Sequence, residues 1–338
     1  MAKITIVGDI HLRSVEKFGK FNTETGLNTR TEDKLRMIEE VVDTSITAEV
    51  DLVVFLGDIF DVVNPSERLR SFFVEKLRPL FDAKITTIVI LGNHEIGGFD
   101  LHSFLTAKAL NLDYFRICNE LKEISLGGKS ILLVPYGYEK ALYNKLLEKN
   151  YDLMLSHIPI SPQWENGIEG SFLKEHIRII RNGHYHTADE FHVGSLCVYN
   201  RKEIGVKHRY EILDLNKEHF VAIDVEDREF LKIDTDVEYF TEHIKKYKDF
   251  KGIVSIKIID IRENLESIST VSVRNLFSNA FKVTVDKKCV ISNAIESPVV
   301  QNFNMCSVEE DIKDWCKKSK REEMIDIGLE IYNEAIKS

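Results

Sequence analysis

Short runs of β-branched and aliphatic residues recur along this chain wherever a buried strand would stand, and five of them lead into polar motifs of one chemical kind. The runs are Lys3–Val7, Leu52–Leu56, Thr86–Leu91, Ile131–Val134, Leu153–Leu155 and Ile177–Ile180. The motifs are Gly8-Asp9-Ile10-His11, Gly57-Asp58-Ile59-Phe60-Asp61, Gly92-Asn93-His94-Glu95, Ser156-His157 and Gly183-His184-Tyr185-His186. Helical patterns fill the intervals. Leu35, Ile38, Val42 and Ile46 share one face, and so do Leu69, Phe72, Phe73, Leu77 and Leu80, with Pro79 expected to kink the second helix near its end. Alternation of this kind predicts an α/β layered domain with buried strands. Such sheets gather their sites at the C-terminal ends of strands, so motifs scattered from residue 8 to residue 186 can converge.

After about residue 209 the pattern changes. Arg209–Leu215 and His219–Val225 read as a strand pair. A helix around Glu238–Tyr247, a strand at Ile253–Ile259, a helix at Val271–Ala280 and a strand at Phe281–Val285 then suggest a small α+β domain. Two helices are expected in 301–338. Ser307 and Glu310 form a capping box, Val308, Ile312 and Trp315 share a face, and Ile325, Leu329, Tyr332 and Ile336 share another.

The 338 residues suit two domains or one with an appendage, and 43% hydrophobic content is enough for a core. No run approaches the roughly 18 apolar residues of a membrane span, and Met1-Ala2-Lys3 leading straight into a strand is unlike a signal peptide. The five cysteines are scattered with no Cys-x-x-Cys pair, which fits free thiols in a reducing compartment. A net charge of −10 argues against a chain coated in nucleic acid, but leaves room for a local basic track.

Carboxylate, amide oxygen and imidazole together suit manganese, iron or zinc better than calcium, and the lack of cysteine ligands argues against a structural zinc. Asp9 and His11, two apart in an extended segment, project to one side. The set divides into Asp9, His11 and His186 for one metal and Asn93, His157 and His184 for the other, with Asp58 bridging. Water shared by two such cations ionises near neutral pH, at a pKa of about 7, which implies hydrolysis of a phosphate ester without a protein nucleophile. His94, beside a ligand but outside both sets, is expected to stabilise developing charge or protonate the leaving oxygen, with Asp61 holding one of its ring nitrogens. The other histidines, His102, His176, His192, His208, His219 and His243, read as ordinary core or surface residues.

In this order the motifs resemble the calcineurin-like metallophosphoesterases over about residues 3–200. Within that superfamily the chain is similar to the SbcD-type DNA repair nucleases, in particular their bacteriophage versions. The likeness rests on Gly57–Asp61 followed by Asn64-Pro65 with no Arg-Gly after Asp61, on Asn28-Thr29-Arg30-Thr31-Glu32-Asp33, and on Gly194-Ser195 after the Gly-His-x-His motif. The resemblance implies a β-sandwich flanked by helices over 1–234, a small α+β capping domain that contacts DNA over 235–300, and C-terminal helices at 301–338 that bind the coiled coil of an SbcC-type ATPase. It implies two manganese ions, exonuclease and endonuclease cleavage of DNA, a homodimer within a heterotetramer, and a cytoplasmic place in a bacterial cell, with phage encoding. The Leu69–Leu80 helix, rich in aromatic residues, is a candidate dimer surface. Some nucleases of the group carry histidine where this chain has Asp61, which bears on the balance of the two cleavage modes. A phosphatase or cyclic-nucleotide phosphodiesterase is the alternative, although phosphatases usually show Asp-Arg-Gly where Asp61-Val62-Val63 stands. A scaffold without catalysis would have lost ligands that are complete here.

Overall fold

Alternation along each strand sorts the core into layers. The computed structural model describes residues 2–97, 102–104 and 112–290. Strands β1 (Lys3–Val7), β2 (Leu52–Phe55), β3 (Thr86–Ile90) and β4 (Phe115–Cys118) run parallel, and β11 (Arg209–Asp214) and β12 (His219–Asp224) extend the sheet antiparallel beyond β1. A second sheet has the order β10-β7-β6-β5, made of β5 (Lys122–Leu126), β6 (Lys129–Val134), β7 (Tyr151–Ser156) and β10 (Ile177–Asn182). Two-residue strands β8 (Ile160–Ser161) and β9 (Ile168–Glu169) pair with each other. The helices of this body are α1 (Thr29–Thr47), α2 (Glu67–Asp82), α3 (Glu139–Glu148) and α4 (Gly170–His176).

Successive side chains of a strand point to opposite faces. Ile4, Ile6, Leu52, Val54, Leu56, Ile88 and Ile90 meet Ile131, Leu133, Leu153 and Leu155 between the sheets. Their neighbours Val53, Phe55 and Val89 face Leu35, Ile38 and Val42 of α1 and Leu69, Phe73, Leu77 and Leu80 of α2. Leu132, Val134 and Met154 face Leu142 and Leu146 of α3 and Leu173 of α4. The result is a sandwich of two sheets with helices on both outer faces. Asn28 caps α1 by accepting from Arg30 N at 2.9 Å. Pro79 sits in the last turn of α2, and the helix continues past it to Asp82. The apolar face of α2 is spent on the core, since Leu69, Phe73, Leu77 and Leu80 are all buried. Phe72, Val74 and Phe81 of the same helix are only partly buried against that core. Among the described residues no helix is long and apolar enough to cross a membrane.

The small α+β element is a parallel sheet of β13 (Phe230–Thr235), β14 (Ile253–Asp260) and β15 (Lys282–Cys289). Helices α5 (Phe240–Tyr247), α6 (Arg262–Ser267) and α7 (Thr270–Asn275) accompany it. It has its own core, including Ile233, Phe240, Ile244, Val254, Ile256 and Phe277. The helices expected in 301–338 lie outside the described residues.

A crossed pair of ion pairs ties α1 to the segment entering β13. The buried guanidinium of Arg30 grips the Asp227 carboxylate at both ends, and Arg228 pairs with Asp33 at 2.5 Å. Burial opposes the ionised Asp227, but Arg30 outweighs it and holds the carboxyl below its ordinary range. Asp227→Ala would leave the buried Arg30 with only the longer contact to Asp33 at 3.7 Å as its ion pair, so a loss of about 3 kcal/mol in urea denaturation is expected. The sign with pH follows from the depressed pKa. The Asp227 contribution is full above the unfolded carboxylate value, about 3.9, and is lost as pH falls through the lower folded value.

Candidate metal centre

The five motifs leave β1, β2, β3, β7 and β10 at their C-terminal ends, three from one sheet and two from the other. Backbone pairing pulls the first two loops together. Ile10 N and His11 N both donate to Asp58 O, and Leu12 N donates to Ile59 O at 2.7 Å. His11, Asp58 and His184 adopt left-handed backbone angles, with φ of 53°, 50° and 69°. Each such residue costs on the order of 1–3 kcal/mol, and such strain gathers at functional sites. Gly57 has φ of +100°, and a Cβ there would stand 2.5 Å from His157 Nδ1, so both the turn and the ring beside it require glycine.

Ligand atoms of Asp9, His11 and His186 lie within 4.8 Å of one another, as do those of Asp58, His157 and His184. His157 Nε2 is 3.1 Å from Asn93 Oδ1 and 3.4 Å from Asp58 Oδ2. Asp58 Oδ2 is 3.8 Å from His11 Nε2, so this one carboxylate faces both groups. Three rings are anchored from behind. His157 Nδ1–H donates to Leu56 O at 2.6 Å, His186 Nδ1–H to Glu203 Oε1 at 2.8 Å, and His11 Nδ1–H to Asp61 Oδ1 at 3.2 Å. With Nδ1 carrying the proton, each Nε2 is a bare lone pair. His11 Nε2 and His186 Nε2 then face each other at 3.1 Å, and His157 Nε2 faces both Asn93 Oδ1 and, at 3.2 Å, His184 Nδ1. Acceptors aimed at each other repel unless a cation lies among them. The donor set therefore fits a divalent metal in each half.

Without a cation in the site a proton stands in for one on His157: burial lowers this imidazole, but Asp58 and Asp9 prevail and push it up to about 9, and a bound metal would displace that proton. Burial works against an ionised Asp58, but His157 and His11 prevail and hold its carboxyl well below the usual range. Burial, then the charge of His157, pushes His184 down to about 3, which leaves it a free donor for a metal.

His94 is more open than His11, His157 and His186, with its side chain 34% exposed. Its Nδ1 donates to the main-chain oxygen of Asp61 at 3.1 Å, while the Asp61 carboxylate stands farther off at 3.5 Å. The carboxylate makes its shortest contacts elsewhere, to Arg13 Nε at 2.5 Å and His11 Nδ1 at 3.2 Å. Asp61 thus stands beside His94, as expected from sequence, with its backbone oxygen closer than its carboxylate, and that carboxylate also serves His11.

Several supporting residues are given no role by the sequence pattern, although Glu95 lies within one of the motifs. The Glu95 carboxylate is fully buried and accepts from the backbone N–H groups of Asp58, Ile59, Phe60 and Gly92, with Ile59 N at 2.6 Å. It knits the second and third loops together. Lys34, also fully buried, donates to His11 O at 2.7 Å and pairs with Glu16 at 2.5 Å. Tyr199 stacks on His11 with ring centroids 4.2 Å apart. Glu203 holds His186 and also accepts from Tyr199 N at 2.8 Å. Among the histidines read as ordinary, His192 is held by Asp189 at 2.8 Å and His208 by Ser195 at 3.1 Å. Carboxylates behind metal-bound imidazoles set the tautomer and the basicity of the ring. Glu203→Gln is accordingly expected to weaken divalent-metal affinity by roughly 10–100-fold, measured by equilibrium titration.

Residues 2–188 match the calcineurin-like phosphoesterase family. The DNA double-strand break repair protein Mre11 of Saccharolobus solfataricus is 27% identical over 140 residues, 40% of this chain and 34% of that protein. Its counterpart from Aeropyrum pernix is 31% identical over 118 residues, 34% of this chain and 26% of that protein. The Sulfurisphaera tokodaii protein of the same name is 26% identical over 210 residues, 56% of this chain and 50% of that protein. The chain thus spans half or less of the length of these relatives. With its family match covering more than half of the chain and falling on the strands and loops that build the site, the chain belongs to the calcineurin-like phosphoesterases.

Proposed function

We propose that this chain is a two-metal DNA phosphodiesterase that uses manganese and acts in double-strand break repair, recombination and end processing. What carries the reading from phosphoesterase to nuclease is the likeness to relatives named as DNA double-strand break repair proteins. Asp9, His11, His186 and Asp58 would hold one ion, and Asp58, Asn93, His157 and His184 the other. When bound, the two cations supply acidity for water and offset the negative charge of the phosphate.

The remaining work falls to the chain's own groups. In hydrolysis a water oxygen bonds to phosphorus, the P–O bond to the leaving group breaks, and the leaving oxygen takes a proton. His94 would give that proton. Its Nδ1 faces a carbonyl oxygen, which can only accept, so Nδ1 keeps its hydrogen and Nε2 is the atom that gains and loses one. Asp61, between His11 and Arg13, orients the His11 ring. The same reading has a nuclease domain over 1–234, a capping domain over 235–300 and partner-binding helices at 301–338. It has a homodimer with an SbcC-type ATPase in the bacterial cytoplasm, phage-encoded.

The test is manganese-dependent cleavage of end-labelled linear duplex DNA and hairpin DNA beside hydrolysis of an aryl phosphate monoester, with His94→Ser as control. Release of label from DNA is expected. DNA left intact in every condition, with fast turnover of the monoester, would instead favour a phosphatase. Copurification with a large coiled-coil ATPase tests the partner.

A further inference from the structure

On the His184 side of the site stand two aromatic residues that the chemistry above does not use. The Trp164 ring stacks on His184 at 4.4 Å and 29°, and the Tyr136 ring lies 5.8 Å from the same imidazole. Large aromatic side chains are normally taken into the core, yet Trp164 is 40% exposed and Tyr136 36%. A face laid against His184 cannot also be open, so the exposed part of Trp164 is its opposite face and rim.

The loop that carries Trp164 is held in place. Trp164 N donates to Ile160 O at 3.2 Å, Gly167 N to Trp164 O at 3.0 Å, and Ile168 N to Pro159 O at 3.0 Å. Gln163 Nε2 donates to Asp189 at 2.7 Å, which ties this loop to the one after β10. Gly167 lies so close to Pro159 that a Cβ would meet its main-chain oxygen at 2.8 Å. The indole is therefore a fixed surface beside a candidate ligand.

We propose that Trp164, with Tyr136 near the same imidazole, forms a stacking subsite for a planar heteroaromatic ring joined to the scissile phosphate, that is, a nucleobase. This rests on the phosphodiesterase reading and names a substrate determinant for it. Planar rings stack on exposed aromatic side chains whatever their hydrogen-bonding edge, so the subsite favours nucleotides without choosing among bases. A ring resting here belongs to the nucleotide whose phosphate lies against His184.

Two substrates separate the effect, the p-nitrophenyl ester of thymidine 5′-monophosphate and methyl p-nitrophenyl phosphate. They share a leaving group, and the first carries a nucleoside, sugar and base, where the second carries a methyl group. The ratio of their kcat/KM values is expected to fall about tenfold in Trp164→Ala and by less in Tyr136→Ala, in line with the usual strength of base stacking. Trp164→Phe should restore most of the ratio. A second readout needs no turnover. In a Trp315→Phe background, which leaves Trp164 as the one tryptophan of the two in the chain, thymidine 5′-monophosphate should quench emission saturably and 2-deoxyribose 5-phosphate should not. An unaltered ratio in Trp164→Ala, or equal quenching by the two phosphates, would overturn the subsite. So would an equal loss on both substrates together with weaker metal binding, because Trp164 would then act only by positioning His184. A chain that leaves DNA intact yet shows the tenfold change would sink the nuclease reading and keep the subsite. A DNA-cleaving chain whose ratio ignores Trp164 would do the reverse.

Discussion

Replacing Asp58 with asparagine is expected to lower phosphodiester hydrolysis by at least about a thousandfold. Asp58 Oδ2 faces both His11 and His157, at 3.8 and 3.4 Å. Charge stabilisation by bound cations is worth several kcal/mol, and about 1.4 kcal/mol corresponds to a factor of ten in rate. The asparagine keeps the shape of the side chain and the acceptor for His94 N, which bonds Asp58 Oδ1 at 3.0 Å. A fold largely retained by circular dichroism, with activity and bound metal both lost, is the expected outcome. Retained activity at native metal content would remove Asp58 as the bridge.

The second large effect is on His94. His94→Ser should lower kcat on DNA by about 10²–10⁴-fold, the usual contribution of a positioned acid or base, and leave the metal content as it is. The backbone contact from residue 94 to Asp58 does not depend on the side chain, so the bridge should stay in place. The leaving group provides the discriminating measurement. p-Nitrophenolate departs without a proton whereas a sugar alkoxide needs one, so the defect should shrink on bis(p-nitrophenyl) phosphate. A defect of the same size on both substrates would assign His94 to charge stabilisation instead of proton donation.

The sequence showed much of this site because the local rules are strong. A β-branched run followed by Gly-Asp or Gly-His marks a strand end with a polar tip, and the runs at Lys3–Val7, Thr86–Leu91 and Leu153–Leu155 correspond closely to β1, β3 and β7. Half-exposed strands were harder to see. Residues 122–126 alternate with charged and polar side chains at a sheet edge, and Phe230–Thr235 mixes Lys232 and Asp234 into its run. Asp61 shows the limit best. Three residues beyond Asp58 it is a neighbour of His94, as its spacing suggests, but the parallel bridge between Leu12 and Phe60 also brings its side chain to His11 and Arg13. That pairing joins residues far apart in the chain, and no local spacing reveals it. Glu203 and Tyr199 reach the site in the same way, from outside every motif.

The central claim is that five strand-end motifs close a single centre for two metals. The most direct measurement is the number of manganese ions bound per chain at saturation, counted by equilibrium dialysis with elemental analysis. Two ions are expected for the native chain, with the count falling in Asp58→Asn. A native chain that binds one ion or none, with all seven ligand residues in place, would contradict it.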